Sequence, residues 1–267
     1  MKRKKVIYYR DPLNDDFAET NIATKKIEQD FPYIDNSMLY RTSAFLLYQV
    51  IVRPLTAAFI RYRYDQRFTG RKYLKRIGRQ GAFIYANHTM ISGDAFIPNM
   101  VCYGKKNYIL AGPDAFSIRG IRTIVRMLGG IPLPSGQESY RHFRDCLKTR
   151  MSEGCTVTIY PGAHIWPYYT GIRPFPASSF RYPVELEVPV FTLTNTFQKR
   201  RLSLRTLPRV TTFVDGPFYP DTTLPKHAAM QKLRDEAYRT MLERSRVSDY
   251  EYVRYVKDDT DSGPGSV

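Results

Sequence analysis

Ala82-Phe83-Ile84-Tyr85-Ala86-Asn87-His88-Thr89-Met90-Ile91-Ser92-Gly93-Asp94 is the stretch whose reading decides the fold. Its first five residues are an apolar run bounded by Gly81, the pattern of a short buried strand. Ala95-Phe96-Ile97-Pro98-Asn99-Met100 then reads as the opening of a helix, with Ser92 or Asp94 placed to cap it. His88 therefore stands where a strand gives way to a helix, and open α/β sheets bind their ligands at such strand ends. Asp94 lies six residues further on and can fold back onto the imidazole. A carboxylate so placed holds one histidine tautomer and leaves the other ring nitrogen to take a proton. The plainer reading of the same two residues is a capping aspartate beside a hydrogen-bonded histidine.

Outward from this stretch, strand-like and helix-like segments alternate. Strands are expected at 82–86, 107–111, 130–133, 155–160, 188–195 and 208–214. Helices are expected at 94–103, 114–127, 137–151 and 226–244. That alternation predicts an α/β fold, a mainly parallel sheet flanked by helices. It is preceded by an amphipathic N-terminal helical membrane-binding segment. The expected divisions are an irregular arm over 1–36, the amphipathic and basic segment over 37–80, the α/β domain over 81–256 and a disordered tail over 257–267.

The 37–80 segment has two parts, and residues 38–64, the first of them, read as helical. Residues 44–60 are largely apolar but include Gln49, Arg53 and Pro54. A membrane span needs ~20 predominantly apolar residues. This segment reads as short, kinked at Pro54 and charged in the middle, which fits a helix lying in a membrane interface. Arg61, Arg63, Arg67, Arg71, Lys72, Lys75, Arg76 and Arg79 follow, opposed only by Asp65. They are expected to rest on anionic headgroups. A helix packed on the protein's own core, with a solvated basic stretch after it, is the alternative.

Composition narrows the partners. A hydrophobic fraction of 43% over 267 residues is ample for a folded core. A net charge of +16 favours polyanions, whether nucleic acid, anionic lipid or a phosphate-bearing cofactor. No RNP-like, helix-turn-helix or zinc pattern is present, so no nucleic acid is expected. Cys102, Cys146 and Cys155 form no metal-ligand spacing, and no HExxH or Asp-x-Asp cluster occurs, so no metal is expected. Lys2-Arg3-Lys4-Lys5 leads into Asp11, Asp15, Asp16 and Glu19 and makes no secretory leader. The expected location is the cytoplasmic side of the cell membrane, peripherally attached.

Three further stretches carry chemistry. Leu128-Gly129-Gly130-Ile131-Pro132-Leu133-Pro134-Ser135 is a glycine-rich entry to a strand. Tyr160-Pro161-Gly162-Ala163-His164-Ile165-Trp166 is a strand end breaking into an aromatic loop that continues to Arg173. Val188-Pro189-Val190-Phe191 opens a late strand. With Asn87-His88, these stretches resemble the four motif blocks of the glycerolipid acyltransferase family in order and approximate spacing. The family includes the bacterial 1-acylglycerol-3-phosphate acyltransferases, and the resemblance covers about residues 81–216.

The resemblance implies transfer of a fatty acyl group from acyl-CoA or acyl carrier protein to a hydroxyl of a lysophospholipid or other glycerolipid, in phospholipid biosynthesis. It makes His88 and Asp94 the catalytic pair. Asn87, Thr89, Gly130, Ile131, Pro132, Tyr160, Pro161, Gly162, His164 and Arg173 become candidate substrate contacts. No bound cofactor is implied, because the acyl thioester is a substrate. The expected partners are an anionic membrane surface, the lipid acceptor and acyl carrier protein. The chain departs from the family pattern in several places. Five residues separate His88 from Asp94 where the family has four. Ser135 and Ile165 replace the family's phosphate-recognising arginines, and Arg173 or Arg181 is the expected substitute. Gly162 replaces a glutamate, so a catalytically weak or inactive lipid-binding relative is the alternative function.

The chemistry also stands on the residues alone. A thiol leaving group has a pKa near ~8.5 and needs little protonation, so the demanding step is activating a hydroxyl. One imidazole held by a carboxylate suffices for that step. The chain offers no G-x-S-x-G nucleophile. Backbone N–H groups near Gly129-Gly130 or at the Pro161-Gly162 turn are the expected oxyanion donors.

Overall fold

The computed structural model describes residues 5–17, 26–28, 30–102, 104–117, 120–200 and 207–258. Lys2 to Lys4, the basic residues Arg201 and Arg205, and the tail from 259 onward lie outside the described residues. Strand β3 (Ala82–Ala86) forms the centre of a seven-stranded sheet, and all five of its residues are buried. The other strands are β2 (Arg67–Thr69), β4 (Asn107–Ala111), β5 (Gly130–Pro132), β6 (Thr156–Ile159), β7 (Val190–Gln198) and β8 (Arg209–Phe218). Their order is β2-β8-β7-β3-β6-β4-β5, with β7 and β8 antiparallel and every other neighbouring pair parallel. This is the expected mainly parallel α/β sheet.

Alternation along β3 divides the core. Phe83 and Tyr85 face one side, among Phe143, Cys146, Leu147 and Met151 of α5 (Gln137–Ser152). Leu233, Ala237 and Met241 of α7 (Lys226–Ser245) pack on the same side. Ala82, Ile84 and Ala86 face the other side, against Ile97, Met100 and Val101 of α3 (Ile97–Val101). A two-residue side-chain period with apolar residues on both faces is what a sandwiched central strand requires. Two shorter helices, α4 (Ile121–Met127) and α6 (Arg181–Leu186), complete the layers.

Residues 38–64 form one continuous helical run, as expected, with no break at Pro54. It comprises α1 (Met38–Phe45), a π segment (Leu46–Val52) and α2 (Arg53–Tyr64). Pro54 falls where the π segment gives way to α2, and the wider turn before it makes room for the ring and the missing N–H. Ala44, Tyr48, Thr56, Ile60 and Tyr64 are buried, a stripe with a four-residue repeat. Turns of 3.6 residues make such a stripe drift around the helix, and the wider π turns offset the drift. By length and composition the run is able to cross a membrane.

Two boundaries also differ from the sequence reading. The N-terminal arm contains β1 (Lys5–Tyr9), which pairs in parallel with β9 (Val253–Lys257), so chain start and chain end form one ribbon. Lys257 therefore belongs to a strand and not to the tail. The sheet begins before residue 81, because β2 pairs with β8 at Arg67, Phe68 and Thr69. Neither β1 nor β2 shows a clean alternating pattern in the sequence, and each is held by a partner far along the chain.

Candidate active site

His88 lies two residues beyond Ala86, the last residue of β3, at the C-terminal edge of the sheet. The six residues after it make a tight turn. Gly93 and Asp94 both donate their N–H groups to the Met90 carbonyl, which brings the aspartate back under the imidazole. A Cβ on Gly93 would come within 2.9 Å of the Met90 side chain, so glycine lets the turn close. His88 Nδ1 lies 2.7 Å from Asp94 Oδ2, despite the extra residue between them. Asp94 does not cap α3, which starts without a side-chain cap, because its carboxylate is engaged elsewhere. Met90 N–H donates to Oδ2 at 2.8 Å and Asn195 Nδ2 donates to Oδ1 at 3.3 Å.

The third stretch closes over the histidine. The Tyr160 ring stacks on the His88 ring at 4.5 Å, and the Tyr160 hydroxyl donates to the Asp94 carbonyl at 2.5 Å. Burial, then the nearby Asp94, holds that phenol well above its usual pKa, so it remains a donor. Trp166 N–H donates to the His88 carbonyl and Tyr168 N–H to the Thr89 carbonyl, at 3.0 and 2.8 Å. His88, Thr89, Pro161, Gly162, His164, Ile172 and Phe175 line one small pocket. The Thr89 hydroxyl, buried on that wall, has no hydrogen-bond partner among the described residues.

Asn87 and Arg173 also line that pocket, but their polar side-chain atoms are engaged, and the second stretch falls elsewhere. Asn87 is buried and its side chain serves the backbone. Its Oδ1 accepts from Asn195 N–H at 2.8 Å and its Nδ2 donates to the Asn195 carbonyl at 3.0 Å, extending the pairing of β3 with β7. Gly130, Ile131 and Pro132 form β5, separated from β3 by β6 and β4. Three strand spacings put them about 14 Å from β3. The glycines there serve packing. A Cβ on Gly130 would lie 2.6 Å from Val125 Cγ1, and Gly129 adopts φ +94° with its N–H bonded to the Arg126 carbonyl. Gly129-Gly130 is also at the N-terminal end of β5, the sheet edge opposite His88, and so supplies no oxyanion donor.

Arg173 is likewise engaged. Its Nε donates to the Pro12 carbonyl, Nη1 to the His164 carbonyl and Nη2 to the Leu13 carbonyl, at 2.8, 2.6 and 2.8 Å. Its guanidinium also lies 4.8 Å from the Trp166 ring centroid. Arg173 ties the third-stretch loop to the N-terminal segment, and its fork is taken by carbonyls. The two positions where the family has arginines face that same segment. Ser135 Oγ accepts from Ile27 N–H at 3.0 Å, and Ile165 N–H donates to Asp16 Oδ1 at 3.2 Å. His164 Nδ1 sits 3.4 Å from Asp16 Oδ2, turned toward that segment.

Residues 65–195 match the family model described as acyltransferase. The chain belongs to the acyltransferase family. The acyltransferase fold is also visible in three dimensions. The crystal structure of the 1-acyl-sn-glycerophosphate (LPA) acyltransferase PlsC from Thermotoga maritima superposes with a TM-score of 0.55 at 15% identity. The match covers 79% of this chain and 89% of that one. No curated protein matches the chain in sequence. The matched region ends at Asn195, which the sequence reading left among strand residues. Its only signal was a polar side chain in an otherwise apolar and β-branched run.

Proposed function

We propose that this acyltransferase is membrane-associated and moves a fatty acyl group from an acyl thioester to a hydroxyl of a lysophospholipid or other glycerolipid, in phospholipid biosynthesis. The observation that carries the reading is the 2.7 Å contact between His88 Nδ1 and Asp94 Oδ2 beside a pocket that His88 itself lines. With Nδ1 bonded to the carboxylate, Nε2 is the nitrogen left for the substrate. It removes the acceptor hydroxyl proton as that oxygen attacks the thioester carbonyl. The tetrahedral adduct then expels the thiolate, which takes the proton back from the imidazolium. The Thr89 hydroxyl and the Gly162 backbone N–H are the proposed donors to the developing oxyanion.

The donor is acyl-CoA or acyl carrier protein. The acceptor headgroup is not gripped by an arginine fork in the family manner, because Ser135 and Ile165 hold no guanidinium and that of Arg173 is occupied. The 38–64 helix supports attachment to the cytoplasmic face of the cell membrane. Its outward side exposes Leu39, Phe45, Leu46, Val50, Ile51, Leu55, Phe59 and Tyr62 while the opposite stripe packs on the domain. A helix with one stripe packed on its own domain fits a peripheral, interface-lying arrangement better than a span surrounded by lipid. Exposed Arg61, Arg63, Arg67, Lys72, Lys75, Arg76 and Arg79 follow it and suit anionic headgroups.

A weak or inactive lipid-binding relative is the second reading, favoured by Gly162, which offers no side chain in the pocket. Assaying acyl transfer from acyl-CoA and from acyl carrier protein to a panel of lysolipids separates the two. Acylated product supports the enzyme. Co-purified lipid without turnover on any acceptor supports the relative.

A further inference from the structure

We propose that Asn195 is a positioning residue for the His88–Asp94 pair. Gln66 and Thr212 are proposed to set the direction of its amide, so that a one-way chain of donors ends on the carboxylate. The inference rests on the acyl-transfer reading of that pair for its catalytic consequence.

Four buried side chains form the chain. Gln66 Nε2 lies 2.7 Å from Thr212 Oγ1 and 3.0 Å from the Arg67 carbonyl. A backbone carbonyl only accepts, so the Gln66 atom between those two partners has to be the amide nitrogen. Thr212 Oγ1 therefore accepts from Gln66, and its single hydrogen is left for Asn195 Oδ1, 2.6 Å away. With the carbonyl oxygen of Asn195 turned to Thr212, its nitrogen faces Asp94 Oδ1 at 3.3 Å. The backbone of Asn195 is fixed as well, through the paired bonds with the Asn87 side chain.

The direction matters at the far end. Asp94 Oδ2 accepts from Met90 N–H, which can only donate, and Oδ1 accepts from the Asn195 amide. A carboxylate surrounded by donors takes the part of acceptor, so the proton in its contact with His88 belongs to Nδ1. That is the tautomer with Nε2 free to act as base. Each bond of a donor chain polarises the next in a low-dielectric interior, so the effect of Gln66 reaches Asp94 through two intermediates. Without the Thr212 hydrogen, the Asn195 oxygen loses its donor and the amide is held by its 3.3 Å bond to Asp94 alone. Thr212 lies in β8 and touches neither the pocket nor the pair, so its influence would pass through Asn195.

The test compares Thr212→Val, which keeps the shape and removes the hydroxyl, with Thr212→Ser, which keeps the hydroxyl. Two readouts are taken: kcat and KM for lysolipid acylation, and the ¹⁵N shifts of the His88 ring. For Thr212→Val we expect kcat to fall by about 10-fold or more, as for other partners that orient a functional side chain, with KM unchanged. The His88 signals should move from the Nδ1–H tautomer toward a mixture. Thr212→Ser should match the wild type in both readouts. A Thr212→Val protein with wild-type kcat and an unchanged His88 spectrum would overturn the proposal. So would a serine variant as impaired as the valine one, since that points to packing. Should Thr212→Val fail to fold, Gln66→Met removes the first donor and is held to the same two readouts. If the wild type acylates no acceptor, the proposed function fails, while the His88 spectra still decide the donor chain.

Discussion

At the scale of single residues, the site turns on which groups at the pocket are engaged and which are left for a substrate. Gly162 stands where the family has glutamate. A Cβ there would meet only Arg173 Nη1, at 3.9 Å, so the position has room and a cation beside it. Gly162→Glu is therefore expected to fold normally and to raise acylation or acceptor affinity when the two proteins are assayed side by side. Lower activity with an intact fold would mean the loop does not work in the family manner. The next residue holds a different tension. Ala163 adopts φ +56°, the left-handed region, at the place where the family has glycine. Side-chain-bearing residues pay roughly 1–2 kcal/mol there. Ala163→Gly should gain about 0.5–1 kcal/mol in a denaturant melt, after allowing for the extra chain entropy of glycine. The His88–Asp94 pairing was legible in the sequence because both residues lie in one short turn. Asn87, Arg173 and Asn195 were not legible in role. Their partners are Asn195, the Pro12 and Leu13 carbonyls, and Thr212, all distant in sequence, and no local pattern encodes them.

At the scale of elements, the sequence was most informative where periodicity was strong and least where an element depends on a remote neighbour. Strands β3, β4, β6, β7 and β8 and helices α5 and α7 stand within a few residues of their expected bounds. The β1–β9 ribbon and β2 went unseen. The 38–64 run stands at its expected bounds, although Gln49, Arg53 and Pro54 read as interruptions of its apolar part. In the structure they fall in the π segment and the first turn of α2, where the helix absorbs them. The exposed apolar face of that helix gives a direct expectation. Replacing Leu46, Val50 and Leu55 together by glutamine should weaken binding to vesicles containing anionic lipid, measured by flotation, without lowering the melting temperature. Raising the salt should weaken it further, as each basic residue near the surface contributes about 1 kcal/mol that ions screen. Unaltered flotation of the triple variant would remove this face from the membrane contact.

At the scale of the whole molecule, the chain ends close over the site. The segment 11–17 lies against the third-stretch loop through the Arg173 bonds, through Trp166 Nε1 donating to the Asp15 carbonyl at 2.8 Å, and through Phe17 N–H donating to the Ile165 carbonyl at 3.2 Å. Tyr255 of β9 stacks on the Trp166 ring, with centroids 4.9 Å apart. This long-range closure is invisible to any reading of local pattern, since it joins residues near both ends to a loop in the middle. The core beneath is tightly closed. Burial pushes the thiol of Cys102 up to about 12, and those of Cys146 and Cys155 up to about 11. Thiolates being the reactive form, iodoacetamide at pH 8 should leave all three unmodified in the folded protein and label them after denaturation. Rapid labelling of the native protein would contradict this picture of the core.

The central claim is that the His88 imidazole, held by Asp94, deprotonates the acceptor hydroxyl. Its most direct test is the rate of lysolipid acylation from an acyl thioester by the wild type and by His88→Ala, each shown to be folded by its melting curve. The account predicts a loss of ~10²-fold or more in kcat for the variant at comparable stability. An alanine variant that folds and acylates at close to the wild-type rate would contradict it.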